Sequence, residues 1–273
     1  MTGPAIFEAR ILRAEELEHR YPFAAEILQF FQHVTQFQAA LCGHTSPARG
    51  KQPVAAAAQS LRSKLNLAVL LPHFSEFLAL VKQRAPQPLA EAARALEEEG
   101  SSAWTVALAD YWALGGRRRE ASEDARSEFL CRGFLQPFAE LAATGREVPL
   151  QTAASLTCPL CKARPVAGVL RPEGDGGKRS LLCSFCAHEW EFRRILCAQC
   201  GEAREAQLPV FVAEQFPHIR VEACDTCRRF LRTIDLTKDG HAVPIADDLA
   251  AIPLTLWAQE HGYERIEPNL LGT

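Results

Sequence analysis

Eight of the ten cysteines in this chain fall in four C-x-x-C pairs, Cys158/Cys161, Cys183/Cys186, Cys197/Cys200 and Cys224/Cys227, and no other feature limits the fold so tightly. In C-x-x-C a tight turn aims both sulfurs at one point. Two such turns on facing hairpins supply four thiolates at roughly tetrahedral positions about 2.3 Å from a metal ion. In a reducing compartment this spacing indicates metal rather than disulfides. A hairpin module of about 35 residues cannot bury enough apolar surface to order itself, so the metal contributes several kcal/mol of its folding free energy. A dithiol redox centre would instead precede a helix in a thioredoxin-like βαβ pattern, which the sequence lacks.

The pairs also form an internal repeat. Cys158 and Cys197 are 39 residues apart, Cys183 and Cys224 are 41 apart, and 21 or 23 residues separate the two pairs of each copy. Two copies of one ribbon unit are implied. The repeat predicts sequential pairing: Cys158, Cys161, Cys183 and Cys186 in one site, and Cys197, Cys200, Cys224 and Cys227 in the other. A nested arrangement would join the inner pairs across ten residues and close an outer loop of about sixty, a difference that loop entropy alone does not exclude. Tetrathiolate sites accept zinc or a single iron equally by geometry, so spacing leaves the metal open.

Composition changes once along the chain. Residues 1–150 hold Ala, Leu, Glu and Arg in helical periodicity and only two lone cysteines, Cys42 and Cys131, which read as core packing. Phe23, Ile27, Phe30, Val34, Phe37 and Leu41 form one stripe of a helix that Gly43 can close. Further helices are expected over 54–71, 74–84 and 88–99, then from Ser101 through Trp104, Leu108, Tyr111 and Trp112. A last stripe runs through Leu130, Phe134, Phe138 and Leu141. This half reads as an all-α bundle, 1–150, ending in a linker at Gly145–Thr152. Beyond it, short β-prone runs at Val166–Leu170, Leu208–Val212, Ile219–Ala223 and Phe230–Leu236 alternate with turn residues, giving a first ribbon over 151–195 and a second over 196–273. A final helix, Asp247–His261, closes the second ribbon, with Gly262 as its cap.

Several function classes recede. The apolar runs Leu65–Leu71 and Ala103–Ala109 fall far short of the roughly 18 residues a membrane span needs, and the acidic first 20 residues do not read as a secretory signal. A cytoplasmic protein with no membrane insertion is expected. Residues 151–273 carry 14 Lys plus Arg against 16 acidic residues, against the basic stripe of a nucleic-acid-binding zinc ribbon. No phosphate loop, nucleophile elbow or H-E-x-x-H is present, so no catalytic residue is assigned and no enzyme is expected. His188, His218 and His241 read as solvated rather than as ligands, and Arg117, Arg118 and Arg119 as a solvated basic turn.

Leu182-Cys183-Ser184-Phe185-Cys186 followed by Glu189-Trp190 and Arg193-Arg194, then Cys197-Ala198-Gln199-Cys200-Gly201, resembles the formate dehydrogenase accessory proteins of the FdhE family. The run from Cys224-Asp225-Thr226-Cys227 to Asp235 and the tail through Ala246-Asp247-Asp248-Leu249, Gly262-Tyr263 and Pro268-Asn269-Leu270 are also similar, as is Arg132–Pro137 in the helical half. The resemblance implies a multi-domain α plus small β fold: an all-α domain, then a tandem of two rubredoxin-like metal ribbons with a C-terminal helix. It implies two mononuclear tetrathiolate ions, iron favoured and zinc compatible. It further implies a non-enzymatic role in maturing formate dehydrogenase in the cytoplasm before Tat export, by contact with the catalytic subunit. A rubredoxin-like electron-transfer protein, which iron would permit, and a zinc-ribbon nucleic-acid-binding protein are the alternatives.

Overall fold

The computed structural model describes residues 3–45, 67–115, 125–146, 154–174 and 176–273. Helix α1 (Gly3–Arg20) passes through a short 3-10 turn, Pro22–Ala24, into α2 (Ala25–Thr45). Then come α3 (Leu67–Arg84), α4 (Gln87–Ala113) and α5 (Ala125–Ala143). The expected stripe on α2 is buried at Phe30, Val34 and Leu41, yet Phe23 is exposed and Leu28 and Phe31, off that stripe, are buried too. The reason is position: α2 lies between two cores, giving Phe30, Val34 and Leu41 to one and Leu28 and Phe31 to the other. It also runs past Gly43 to Thr45 instead of closing there.

Helix α3 continues through Pro72, so the break expected between 71 and 74 is absent; burial of Leu70 and Phe74 on either side outweighs the hydrogen bond that Pro72 removes. Residues 54–66 of the expected helix lie outside the described residues, as do Arg117–Arg119 and most of the expected linker. Gly100 interrupts α4 at the expected boundary, with φ 82° and ψ 178°, and the Trp104 indole N–H donates to the Leu96 carbonyl across the kink at 2.6 Å. Helix α5 is buried on every side from Phe129 to Glu140 rather than along one stripe. Two of its polar residues find partners in the interior: Glu140 pairs with Arg10 at 3.0 Å, and the Arg132 guanidinium donates to the Ser184 carbonyl at 2.9 Å.

The ribbons supply β1 (Pro165–Glu173), β2 (Gly176–Cys183) and β3 (Glu189–Glu191), then β4 (Val210–Val212), β5 (Ile219–Cys224) and β6 (Arg229–Asp235). They are followed by α6 (Pro244–Ala250), α7 (Ile252–Glu260) and β7 (Glu264–Arg265). The ribbons share one sheet in the order β3-β2-β1-β6-β5-β4, with β7 on β6. The junction is a parallel pairing of β1 with β6, Gly168 opposite Thr233 and Val169 opposite Ile234. A Cβ at residue 168 would sit 2.2 Å from the Thr233 hydroxyl oxygen, so this crossing requires glycine.

The single C-terminal helix expected from Asp247 to His261 is two, broken at Ala251. Pro253 explains the break, because its ring collides with the carbonyl of residue 249 and it donates no hydrogen bond. Helix α7 ends as expected at Gly262, where Tyr263 N–H bonds the Ala258 carbonyl and Gly262 N–H that of Gln259, a Schellman cap. The first core joins α2–α5 to the first ribbon's cysteines, and the second joins α1, the start of α2, one sheet face and α6–α7. Among the described residues no helix is long and apolar enough to cross a membrane.

Candidate metal centres

The eight paired cysteines gather in the sequential grouping, with Cys158, Cys161, Cys183 and Cys186 around one point and Cys197, Cys200, Cys224 and Cys227 around another. Sulfur separations are 3.6 Å for Cys158–Cys186, 3.3 Å for Cys161–Cys183, 3.7 Å for Cys197–Cys227 and 3.8 Å for Cys200–Cys224. A tetrahedron with metal–sulfur bonds of about 2.3 Å has edges of about 3.8 Å, whereas a disulfide needs about 2.05 Å. The donor set and its spacing therefore fit a tetrathiolate ion.

The backbone explains how this spacing arises. Cys158 N–H bonds the Ala163 carbonyl and Lys162 N–H the Cys158 carbonyl. In the second copy, Cys197 bonds Glu202 and Gly201 bonds Cys197 in the same way. In each of the four turns the residue after the second cysteine adopts positive φ: Lys162 at 68°, Ala187 at 50°, Gly201 at 75° and Arg228 at 56°. Three are not glycine and cost roughly 1–2 kcal/mol apiece, strain that persists only where the surroundings fix the turn. Backbone N–H groups of Phe185 and Cys186 reach the Cys183 sulfur at 3.4 Å, and Gln199 N–H reaches Cys197 at 3.3 Å, dipoles that favour thiolate.

Within each group the thiols are shifted in opposite directions. Hydrogen bonds from Cys161, Cys183 and Cys186 hold the Cys158 thiol far below its ordinary range, while burial pushes Cys183 up and hydrogen bonding to Cys158 pushes Cys186 up. In the second group burial raises Cys197 to about 11 and also raises Cys227. Cys200 is lowered, because the Glu202 amide and the other thiols outweigh its slight burial. A bound cation would favour the thiolate form of the sulfurs that burial raises.

The two centres differ in their surroundings. All four cysteines of the first are buried, and the Phe185 ring inside that turn meets Tyr111 and Trp112 edge-on at 5.5 and 5.8 Å. Gly115 closes the contact: with φ 63°, a Cβ there would lie 2.5 Å from the Cys161 carbonyl oxygen. The second centre lies at the surface, with Cys200 exposed and Cys227 half-buried. Here side chains brace the turns. Thr226 donates to Glu202 at 2.8 Å, joining one turn to the other, while Asp225 accepts from Tyr263 Oη at 2.6 Å and from Arg228 at 2.9 Å.

Two buried ion clusters that spacing did not disclose hold the ribbons to the helices. Asp248 accepts from Arg232 at 2.9 Å, from Arg265 at 2.7 Å and from Asn269 at 2.9 Å, with Arg232 fully buried. Asp247 accepts from Arg13 on α1, from His218 at 2.8 Å and from the Val243 amide. His218 is therefore buried and paired, not solvated as expected, because a neutral or charged imidazole here completes the Asp247 carboxylate. His218, Asp239 and Asp247 bring three metal-type ligand atoms together, but the Arg13 guanidinium occupies their shared side. His188 is half-buried and His241 exposed. Cys42 and Cys131 are buried packing residues, burial raising each to about 12.

Comparison with known proteins agrees with these features. A family model described as FdhE, central domain, matches residues 157–194, and one described as FdhE, C-terminal domain, matches 195–271. A protein FdhE homolog of Aquifex aeolicus is 25% identical over 97% of this chain and 95% of its own length. One of Pseudomonas aeruginosa is 37% identical over 45% of this chain and 41% of its own. The crystal structure of the FdhE protein from Pseudomonas aeruginosa matches 99% of this chain and 96% of that one, with a TM-score of 0.73 and 26% identity. Over residues 157–271 the chain matches the FdhE family. The matched FdhE domains contain all eight paired cysteines together with the Asp225–Tyr263 and Arg232–Asp248 contacts, so the residues that carried the resemblance are neighbours in space.

Proposed function

We propose that the chain is a non-enzymatic accessory factor for the maturation of formate dehydrogenase, binding its catalytic subunit in the cytoplasm before Tat export. Cys158, Cys161, Cys183 and Cys186 ligate one ion and Cys197, Cys200, Cys224 and Cys227 a second. Iron is the metal that family resemblance favours, and the donor set accepts zinc equally. In this reading residues 1–150 form the client-holding unit, and 151–195 and 196–273 are the metal ribbons. The observation that carries the proposal is the FdhE match across both ribbons, with every C-x-x-C pair in place. The division of labour follows from burial: the first centre, enclosed against Phe185, Tyr111 and Trp112, fixes the ribbon to the helices, and the second faces outward.

The test is affinity capture with tagged intact chain and with the Cys197→Ser/Cys200→Ser variant, from cells expressing formate dehydrogenase. Recovery of the catalytic subunit by the intact chain supports the proposal, and recovery tied to the intact second centre links metal to recognition. Failure to recover the subunit by the intact chain contradicts it. A second reading, one-electron transfer, is favoured by the exposure of Cys200, which would bring an iron at that centre within reach of a redox partner. Preserved maturation by zinc-loaded protein excludes that reading, since zinc carries no electron.

A further inference from the structure

The ribbons are set head to tail. Each runs first, second, third strand in the order β3-β2-β1 or β6-β5-β4, and the third strand of the second ribbon lies parallel on the first strand of the first. The outer edge of β4 is therefore the counterpart of the β1 edge that receives β6. Among the described residues no strand pairs there. Ala223 N–H bonds the Pro209 carbonyl and Asp225 N–H the Gln207 carbonyl, so alternate residues 207, 209 and 211 turn their main chain toward β5. Val210 and Val212 turn theirs outward, with side chains 52% and 69% exposed. Pro209 does not blunt this edge, because its missing donor is on the inner side.

Chemistry beside the edge selects what it takes. Val210 lines a cleft of about 70 Å³ shared with Cys197 and Cys224 of the second centre, and Arg194, Arg220 and Arg229 line the same cleft. Of the acidic groups, only Glu222 lines it, already bonded to Arg179 and Arg220. We propose that the β4 edge docks an extended segment of a partner protein, added as a strand parallel to β4. Its acidic side chains would lie on the face of Val210, Val212 and the arginines, and its apolar ones on the opposite face beside Phe211 and Trp257. Main-chain bonds to residues 210 and 212 would supply affinity, and the alternation of apolar and acidic side chains would supply selectivity.

The probe is a fluorescein-labelled Glu-Val-Glu-Val-Glu-Val-Glu peptide, with its Lys-for-Glu counterpart as control, titrated with the intact metal-loaded chain and read by fluorescence anisotropy. Val212→Pro removes the outward N–H without touching the β5 ladder. Val212→Glu keeps the N–H and adds a repelling charge. Saturable binding of the acidic peptide, weakened roughly tenfold or more by both substitutions and absent for the basic peptide, is expected. Absence of saturable binding, equal binding of the two peptides, or binding unchanged in Val212→Glu would overturn the proposal. So would self-association of the intact chain in sedimentation that Val212→Pro abolishes, since the edge would then belong to a second copy. The assay contains no formate dehydrogenase, so its failure leaves the accessory role standing, and failure of that role leaves this edge standing.

Discussion

Two tetrathiolate ions in one chain should leave it at very different rates. The second centre presents the exposed Cys200 and half-buried Cys227 to a chelator directly, whereas the first is reached only after the Phe185 turn separates from Tyr111 and Trp112. An aromatic side chain buries about 150–250 Å², worth about 4–6 kcal/mol at 25 cal/mol per Å². Taking only one ring's worth, about 4 kcal/mol, the opened state is populated roughly a thousandfold less, and release from the first centre is slower by about that factor. Mixing metal-loaded protein with excess of a coloured chelator, such as 4-(2-pyridylazo)resorcinol for zinc, should give one equivalent quickly and one slowly. Cys200→Ser/Cys227→Ser should delete the fast phase and keep the slow one. A single phase for the parent, or a fast phase that survives in that variant, would refute the asymmetry.

Asp248→Asn leaves the buried Arg232 and Arg265 without their carboxylate, and a loss of about 3 kcal/mol in urea unfolding is expected. Burial raises the Asp248 pKa, but Arg232 and Arg265 outweigh it and hold the group below the usual carboxylate range. Its contribution is thus complete above the unfolded value of about 3.9 and disappears as pH falls through the lower folded value. The stability gap between parent and Asp248→Asn should accordingly close below about pH 4; a gap independent of pH would contradict the pairing. Gly168→Ala should cost about 1–3 kcal/mol by driving a methyl into Thr233, with part recovered in the Gly168→Ala/Thr233→Ala double variant. Equal stability of Gly168→Ala and parent would argue against the close β1–β6 crossing.

The cysteine-rich half was legible because its signals are local. C-x-x-C spacing, the 39- and 41-residue repeat and short β-prone runs all concern residues near one another in the chain, and the four thiols of each group are where the repeat puts them. What joins the parts is non-local and left little trace. The parallel β1–β6 junction is marked only by Gly168 against Thr233, which reads in sequence as one more glycine. Arg13 meets Asp247 across 234 positions, so helix α1 packs on the second core through a contact that no periodicity encodes. Two flanks of α2 are buried, which blurs the single stripe a helix on one core would show. Three of the four cysteine turns end in a non-glycine residue with positive φ, so only Gly201 announced that conformation. The difference between an enclosed and an exposed centre likewise depends on Tyr111, Trp112 and Gly115, which lie in the helical half.

The claim on which the rest depends is that eight thiolates hold two ions and thereby shape residues 158–227. Elemental analysis of protein purified without chelator, combined with thiol counting after denaturation, tests it directly. Two ions per chain, falling to one in Cys183→Ser/Cys186→Ser, is the predicted result. Chains carrying neither iron nor zinc, or with those cysteines recovered as disulfides, would contradict it.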